Sequence, residues 1–285
     1  MEWQCVQFSI DNKVAHLVLN RPAAMNTLQP VLWREMSEIV RALQRDGGVR
    51  ALVISSTGKH FTAGMALDVF GAGNGIALDD GSAAARAAIA PQLLELQQLF
   101  NAIEQLRMPV IAAIHGGCIG GGVDLIAACD IRLASEDAFF CVQEINIGMT
   151  ADLGTLQRLP RLIPEGVVHE LAYTGRRLPA GRALAVGLVN ALFATHAELI
   201  EAALQMAAEI AAKPPVAIWG SKQAIHYARD HATHDALQMM GWLQAGIWDN
   251  AALTESFNAR QQGRAPKFED LPTLSSFAEA AYRLT

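Results

Sequence analysis

"PVIAAIHGGCIGGGVDLIAACDIRLAS", residues 109–135, carries strand, turn and helix signals in immediate succession. Pro109 opens the short apolar run VIAAIH, which predicts a buried strand. Gly120, Gly121 and Gly122 then form a turn, a helix is expected from about Val123, and DIRLAS (130–135) reads as the next strand. Such a succession belongs to an α/β chain. It is not a membrane span, which needs about 20 predominantly apolar residues, because His115, five glycines and Asp124 interrupt it.

Outward from this stretch, strands alternate with helices. VAHLVLNRP (14–22) reads as a strand stopped by Pro22. Thr27 is placed to cap a helix over LQPVLWREMSEIVRALQRDGG, with Pro30 in its first turn and Gly47 past its end. Leu32, Met36, Ile39, Val40 and Leu43 share one face of that helix. RALVISS (50–56) reads as a buried strand and HFTAGM (60–65) as a loop. Leu93, Leu96, Phe100, Ile103 and Leu106 mark the buried side of a second helix, and AFFCVQ (138–143) is another strand. Beyond residue 152 the pattern is mostly helical, interrupted at Pro214 and Pro215. An α/β core with a helical appendage follows. The small-residue segment 71–91, GAGNGIALDDGSAAARAAIAP, is the expected variable or mobile insert. Its glycines do not open a helix after a strand, so dinucleotide binding is not expected.

The 285 residues are 52% hydrophobic and 18% charged, with a formal charge of −6. That balance suits a large core and disfavours nucleic acid or an anionic membrane as partner. Cys5, Cys118, Cys129 and Cys141 form no C-x-x-C pair, which predicts reduced thiols. The start shows no signal-peptide pattern and YRLT at the end is not the peroxisomal tripeptide, so a cytoplasmic setting is expected. In HYARDHATHD only His231 and His234, not His226, share a helical face cleanly, and no metal-ligand motif accompanies them, so no metal is expected. A G-x-S-x-G elbow is absent from the letters, leaving serine-hydrolase chemistry without an anchor.

Three acids stand where charge is otherwise sparse: Asp124 after the glycine turn, Glu144 after AFFCV, and Asp152. Each has a structural alternative. Asp124 suits the first turn of a helix, Asp152 suits the N-cap of LGTLQRL, and Glu144 suits solvent. The glycines divide likewise. They allow close backbone approach, so the N–H groups of the turn, with a helix dipole behind them, suit an oxyanion; equally they suit a tight strand-to-helix turn. An N–H near Met65 in FTAGM is a second donor, if that loop meets Gly121.

LNRPAAMN (19–26), FTAGM (61–65), residues 109–135 and ALAVGLVN (183–190) together resemble the crotonase (enoyl-CoA hydratase/isomerase) superfamily. The resemblance implies a spiral of ββα units for residues 1–200 and an α-helical region, 201–285, used in trimer assembly, giving trimers or dimers of trimers. It implies an acyl-CoA thioester as substrate, its oxygen held by the N–H groups of Met65 and Gly121, with coenzyme A part of the substrate and no cofactor. Ala63, Gly64, Ala66, Leu67 and Gly120 are the implied substrate-binding neighbours, and Arg264 and Lys267 in GRAPKF are candidates for the coenzyme A phosphates. An Asp, a Glu and another Asp at 124, 144 and 152 look like the dienoyl-CoA isomerase branch. There Asp152 removes the C2 proton, Glu144 delivers one to C6, and Asp124 sits beside Glu144. Hydratases of the family instead carry Glu at 124 and Gly at 152. One departure is Ala66, where the branch has an acid; Asp68 lies two residues on. A hydratase or another enoyl-CoA isomerase using Glu144 with Asp124 is the alternative, and a non-catalytic acyl-CoA-binding subunit is a third reading.

Overall fold

The computed structural model describes residues 3–70 and 81–275. Two strands, β1 (Val6–Asp11) and β2 (Val14–Leu19), open the chain as a hairpin. Asn12 and Lys13 both take positive φ there, the geometry of a two-residue turn whose twist matches its strands. Helix α1 (Pro30–Arg45), β3 (Ala51–Ser56), the short α2 (Ala83–Arg86) and α3 (Ile89–Glu104) follow. The stretch 109–135 becomes β4 (Val110–Ile114), β5 (Gly117–Ile119), α4 (Gly121–Ala127) and β6 (Ile131–Ser135). Then come β7 (Phe139–Cys141), α5 (Thr155–Arg158), α6 (Glu165–Thr174), β8 (Leu178–Pro179), α7 (Ala180–Ala185) and β9 (Ala191–Phe193). Four helices close the order: α8 (His196–Ala211), α9 (Pro215–Asp230), α10 (Thr233–Ile247) and α11 (Asn250–Gln261).

The main sheet runs β1-β2-β3-β4-β6-β9, parallel throughout except for the first pair. A second sheet, β5-β7-β8, is smaller. Both faces of the main sheet are covered, which is why β3 and β4 read as unbroken apolar runs. Leu52, Ile54, Ala112 and Ile114 face a core shared with α1 and α3, where Leu32, Met36, Ile39, Leu43, Phe100 and Ile103 are buried. Each such side chain removed from water contributes roughly 1.5–3 kcal/mol. Val53, Ile111 and Leu133 face the other way, onto the alanine stripe Ala203, Ala207 and Ala211 of α8. Position 200, the expected end of the core region, lies within α8, and the helices beyond the sheet begin with α9.

Helix α1 starts later than Thr27 would have it: its N-cap is Gln29, without a side-chain capping bond. The reason lies in Leu28, whose N–H donates to Gly64 O and whose carbonyl accepts from Ala66 N–H, which holds residue 28 in a bridge rather than a helix. Of the segment expected as an insert, residues 71–80 lie outside the described residues, as do the C-terminal residues 282–285. Among the described residues no helix is long and apolar enough to cross a membrane, and no group of three or more His, Cys, Asp or Glu is placed to hold a metal ion. His231 stacks on Tyr227, His226 lies 3.7 Å from Asp130, and His234 bonds Gln238.

Candidate active site

Two loops that are far apart in sequence meet at the ends of the parallel strands. Thr62 N–H donates to Gly117 O and Ile119 N–H donates to Thr62 O, both at 3.1 Å, so FTAGM pairs alongside β5. On its other side FTAGM pairs with Leu28 through Gly64 O and Ala66 N–H. Met65, between those two bonded residues, turns its own N–H the opposite way, as successive residues of an extended segment must. Gly64 has φ +85°, and a methyl group placed on it would lie 2.7 Å from Ile119 O and 3.6 Å from the Gly120 Cα. Only glycine permits that approach of the two backbones.

Gly120, at φ +52°, follows β5 and is the N-cap of α4. Its N–H donates to Cys141 O (2.9 Å), which ties the turn to the end of β7. Gly121 is the first residue of α4, so its N–H has no acceptor within the helix. Among the described residues neither Met65 N–H nor Gly121 N–H has a hydrogen-bond partner. A buried N–H left unpaired costs about 1–3 kcal/mol; a bound anionic oxygen would satisfy both. Asn26, absent from the sequence-level candidates, braces this loop. Its side chain donates to Thr57 O (2.7 Å) and His60 O (3.0 Å) and accepts from Arg21 N–H, while its carbonyl accepts from the Thr62 hydroxyl (2.7 Å). Its place in LNRPAAMN is the one signal in the letters that could have found it; in the fold it and Met25 both take positive φ.

The three acids lie near enough for their charges to act on one another. Asp124 is 1% exposed, and its Oδ1 accepts Thr155 N–H at 2.6 Å. Burial pushes its pKa up to about 6 against hydrogen bonds from Thr155, and the charge of Asp152 adds to the rise. Glu144 begins a single 3₁₀ turn after β7. A methyl group on Gly120 would lie 3.0 Å from its Oε1, so the carboxyl sits against the glycine turn. Burial, with a smaller contribution from the charges of Asp124 and Asp152, raises Glu144 to about 7. Asp152 is half-buried, and burial raises its pKa as well. It does not cap a helix: α5 has Gly154 as N-cap, without a side-chain bond, and the N–H at the helix start goes to Asp124. The Asp152 carbonyl accepts from Gln97 Nε2 at 2.7 Å, another contact with no signature in the letters.

The remaining candidates are placed as follows. Ala63 N–H donates to Met25 O, Ala66 is bonded to Leu28, and Leu67 is 74% exposed at the mouth of the loop. Arg264 forks onto Glu255, and Lys267 N–H donates to the same carboxylate, whose pKa these hydrogen bonds hold down at about 2. Neither is brought to the carboxylates by any contact among the described residues. A cleft of about 910 Å³ lies along α1 and α3, lined by Trp33, Leu96 and Leu99 and reaching Met65 and Val69; none of the three acids lines it. The region thus carries two unpartnered N–H groups on neighbouring loops and three carboxyl groups of raised proton affinity, features suited to enolate formation and proton relay.

The chain matches the enoyl-CoA hydratase/isomerase family over residues 9–271. It belongs to that family. Within the enoyl-CoA hydratase/isomerase family it is 42% identical over 262 residues to a mitochondrial Δ3,5-Δ2,4-dienoyl-CoA isomerase of Homo sapiens, covering 91% of this chain and 79% of that one. It is 36% identical over 272 residues to the peroxisomal enzyme of that name in Arabidopsis thaliana, covering 94% and 97%. Among solved structures, an enoyl-CoA hydratase from Bacillus anthracis superimposes with a TM-score of 0.84 at 30% identity, covering 93% of this chain and 99% of that one. The crotonase architecture expected from the sequence is therefore present.

Proposed function

We propose that this enzyme converts 3,5-dienoyl-CoA into 2,4-dienoyl-CoA, as part of the oxidation of unsaturated fatty acids. The reading is supported by the proximity of Asp124, Glu144 and Asp152, whose charges act on one another, and by the two unpartnered N–H groups of the paired loops, together with relatives of that name at 36–42% identity. Asp152 takes the C2 proton, and the electron pair runs through the conjugated system into the thioester oxygen, between Met65 N–H and Gly121 N–H. Glu144 then gives its proton to C6 as the double bonds shift to C2 and C4. A short carboxylate reaches one of these carbons and not the other, which is why two are needed. No electrons leave the substrate, so the chemistry calls for no cofactor, and coenzyme A enters with the substrate. Hydration requires two carboxylates on one water; Asp124 is short and already holds Thr155 N–H, which speaks against that alternative.

The test is an absorbance assay for new conjugation on 3,5-octadienoyl-CoA, with crotonyl-CoA as control. Turnover of the diene and little hydration of crotonyl-CoA are expected. Rapid hydration without diene turnover would reverse the assignment.

The pH dependence follows from the roles. Asp152 works ionised and Glu144 protonated. The rate therefore rises as pH passes up through the pKa of Asp152, above its ordinary 3.8, and falls as pH passes up through that of Glu144, about 7. Asp124→Asn keeps an oxygen for Thr155 N–H and removes a negative charge that raises Glu144. The alkaline limb of kcat/KM should move to lower pH in that variant; a limb that stays in place removes Asp124 from this role.

Assembly as a trimer or dimer of trimers is supported by apolar side chains that α9, α10 and α11 leave uncovered, among them Ile225 (69%), Leu237 (67%), Trp242 (81%) and Phe257 (68%). Four free, buried thiols support a reducing compartment, and the cytoplasm remains the proposed one; the relatives' names place them in mitochondria and peroxisomes.

A further inference from the structure

Asp152 belongs to a segment, residues 149–154, that lies outside any helix or strand. Its position therefore depends on what grips it. Asp124 holds the N–H of Thr155 just behind it. Among the described residues every other side-chain bond across this segment comes from one stripe of α3, where Gln97, Asn101 and Glu104 fall at helical i, i+4, i+7 spacing. Gln97 Nε2 donates to the carbonyl of Asp152 itself (2.7 Å). Asn101 Oδ1 accepts from Arg158 Nη2 (2.7 Å), and Glu104 Oε2 accepts from the same atom (2.9 Å) and from Arg158 Nε (3.3 Å). The Arg158–Glu104 pair is largely shielded, at 11% and 15% side-chain exposure, and Arg229 of α9 also contacts Glu104. Gly154, at φ +129°, lies under the Arg158 guanidinium, which fills the space a side chain there would need.

The geometry points to Gln97 as a positioning residue for Asp152, with the Arg158 clasp on Asn101 and Glu104 holding the far end of the same segment. This rests on the isomerase reading, with Asp152 as the C2 base. Gln97 bonds the main chain rather than the carboxyl, so it sets where the base stands and leaves its charge alone. Displacement of a catalytic group by about 1 Å costs up to about a hundredfold in rate; the loss is in kcat, because substrate binding does not pass through this bond.

Gln97→Met keeps the length of the side chain and removes the donor. Its kcat on 3,5-octadienoyl-CoA should fall by roughly 10- to 100-fold, with KM within about threefold of wild type and solvent deuterium exchange at C2 falling in parallel. Gln97→Glu, which sets an ionised carboxylate against the carbonyl, should fall at least as far. Gln205→Met, on the exposed side of α8, should be unchanged. Arg158→Lys, which keeps the charge and loses the fork, is the second probe and should lose kcat with KM held. A kcat for Gln97→Met within about twofold of wild type, or C2 exchange left intact while turnover falls, overturns the proposal. Should Gln97→Met not fold, an unchanged kcat in Arg158→Lys overturns it instead. Diene turnover by wild type that is lost in Asp152→Asn upholds the isomerase reading whichever way the Gln97 variants fall, so the two failures are distinct.

Discussion

Asp152→Asn should lower kcat for isomerisation of 3,5-octadienoyl-CoA by about a thousandfold, the scale of a lost general base, while the acyl thioester still binds. The amide cannot accept the C2 proton, so solvent deuterium exchange at C2 should disappear along with turnover. The fold has little reason to respond. The Asp152 carboxyl caps no helix, its carbonyl remains available to Gln97, and burial already disfavours its charge. The melting temperature should therefore stay level or rise slightly. Turnover within about tenfold of wild type would remove residue 152 from the chemistry.

Glu144→Gln should have an effect of similar size on turnover and the opposite effect on exchange. Glutamine has the shape of the acid that rests against Gly120, so the turn before α4 keeps its packing. It has no acidic proton for C6, and net conversion should fall by about a thousandfold. Asp152 is intact, however, and the two N–H donors still hold the enolate. Exchange at C2 should therefore continue near the wild-type rate with the diene unshifted. Loss of exchange together with turnover would mean that Glu144 acts at C2, which is the prediction of the hydratase-like alternative. The alkaline limb near pH 7 should also vanish from whatever activity remains, since the group responsible for it has gone.

The four variants that read the mechanism, at 124, 144, 152 and 97, differ in how visible their residues are in the letters. Asp124, Glu144 and Asp152 stand out because each follows glycine-rich or apolar sequence where charge is sparse. Gln97 sits on an ordinary amphipathic helix beside Gln98, and nothing in the letters separates the glutamine that grips Asp152 from the one facing out. Thr27 shows the converse error. Its residue type suits a helix cap, but the two backbone bonds of Leu28 to Gly64 and Ala66 hold the next residue in a bridge rather than a helix.

What the amino-acid order determined by itself is the set of elements with strong periodicity: the buried strands β3, β4 and β6, the amphipathic faces of α1 and α3, and the glycine turn at 120–122. Those follow from local burial and local backbone freedom, which each segment records in its own residues. Only the tertiary structure decided that FTAGM pairs beside β5, that Asp124 rather than Asp152 serves the start of α5, and that α3 carries the Asp152 segment. Those arrangements are made by one or two hydrogen bonds each, between residues 31 to 57 positions apart. Such bonds leave no period in the chain, because their partners are brought together by the packing of the whole sheet.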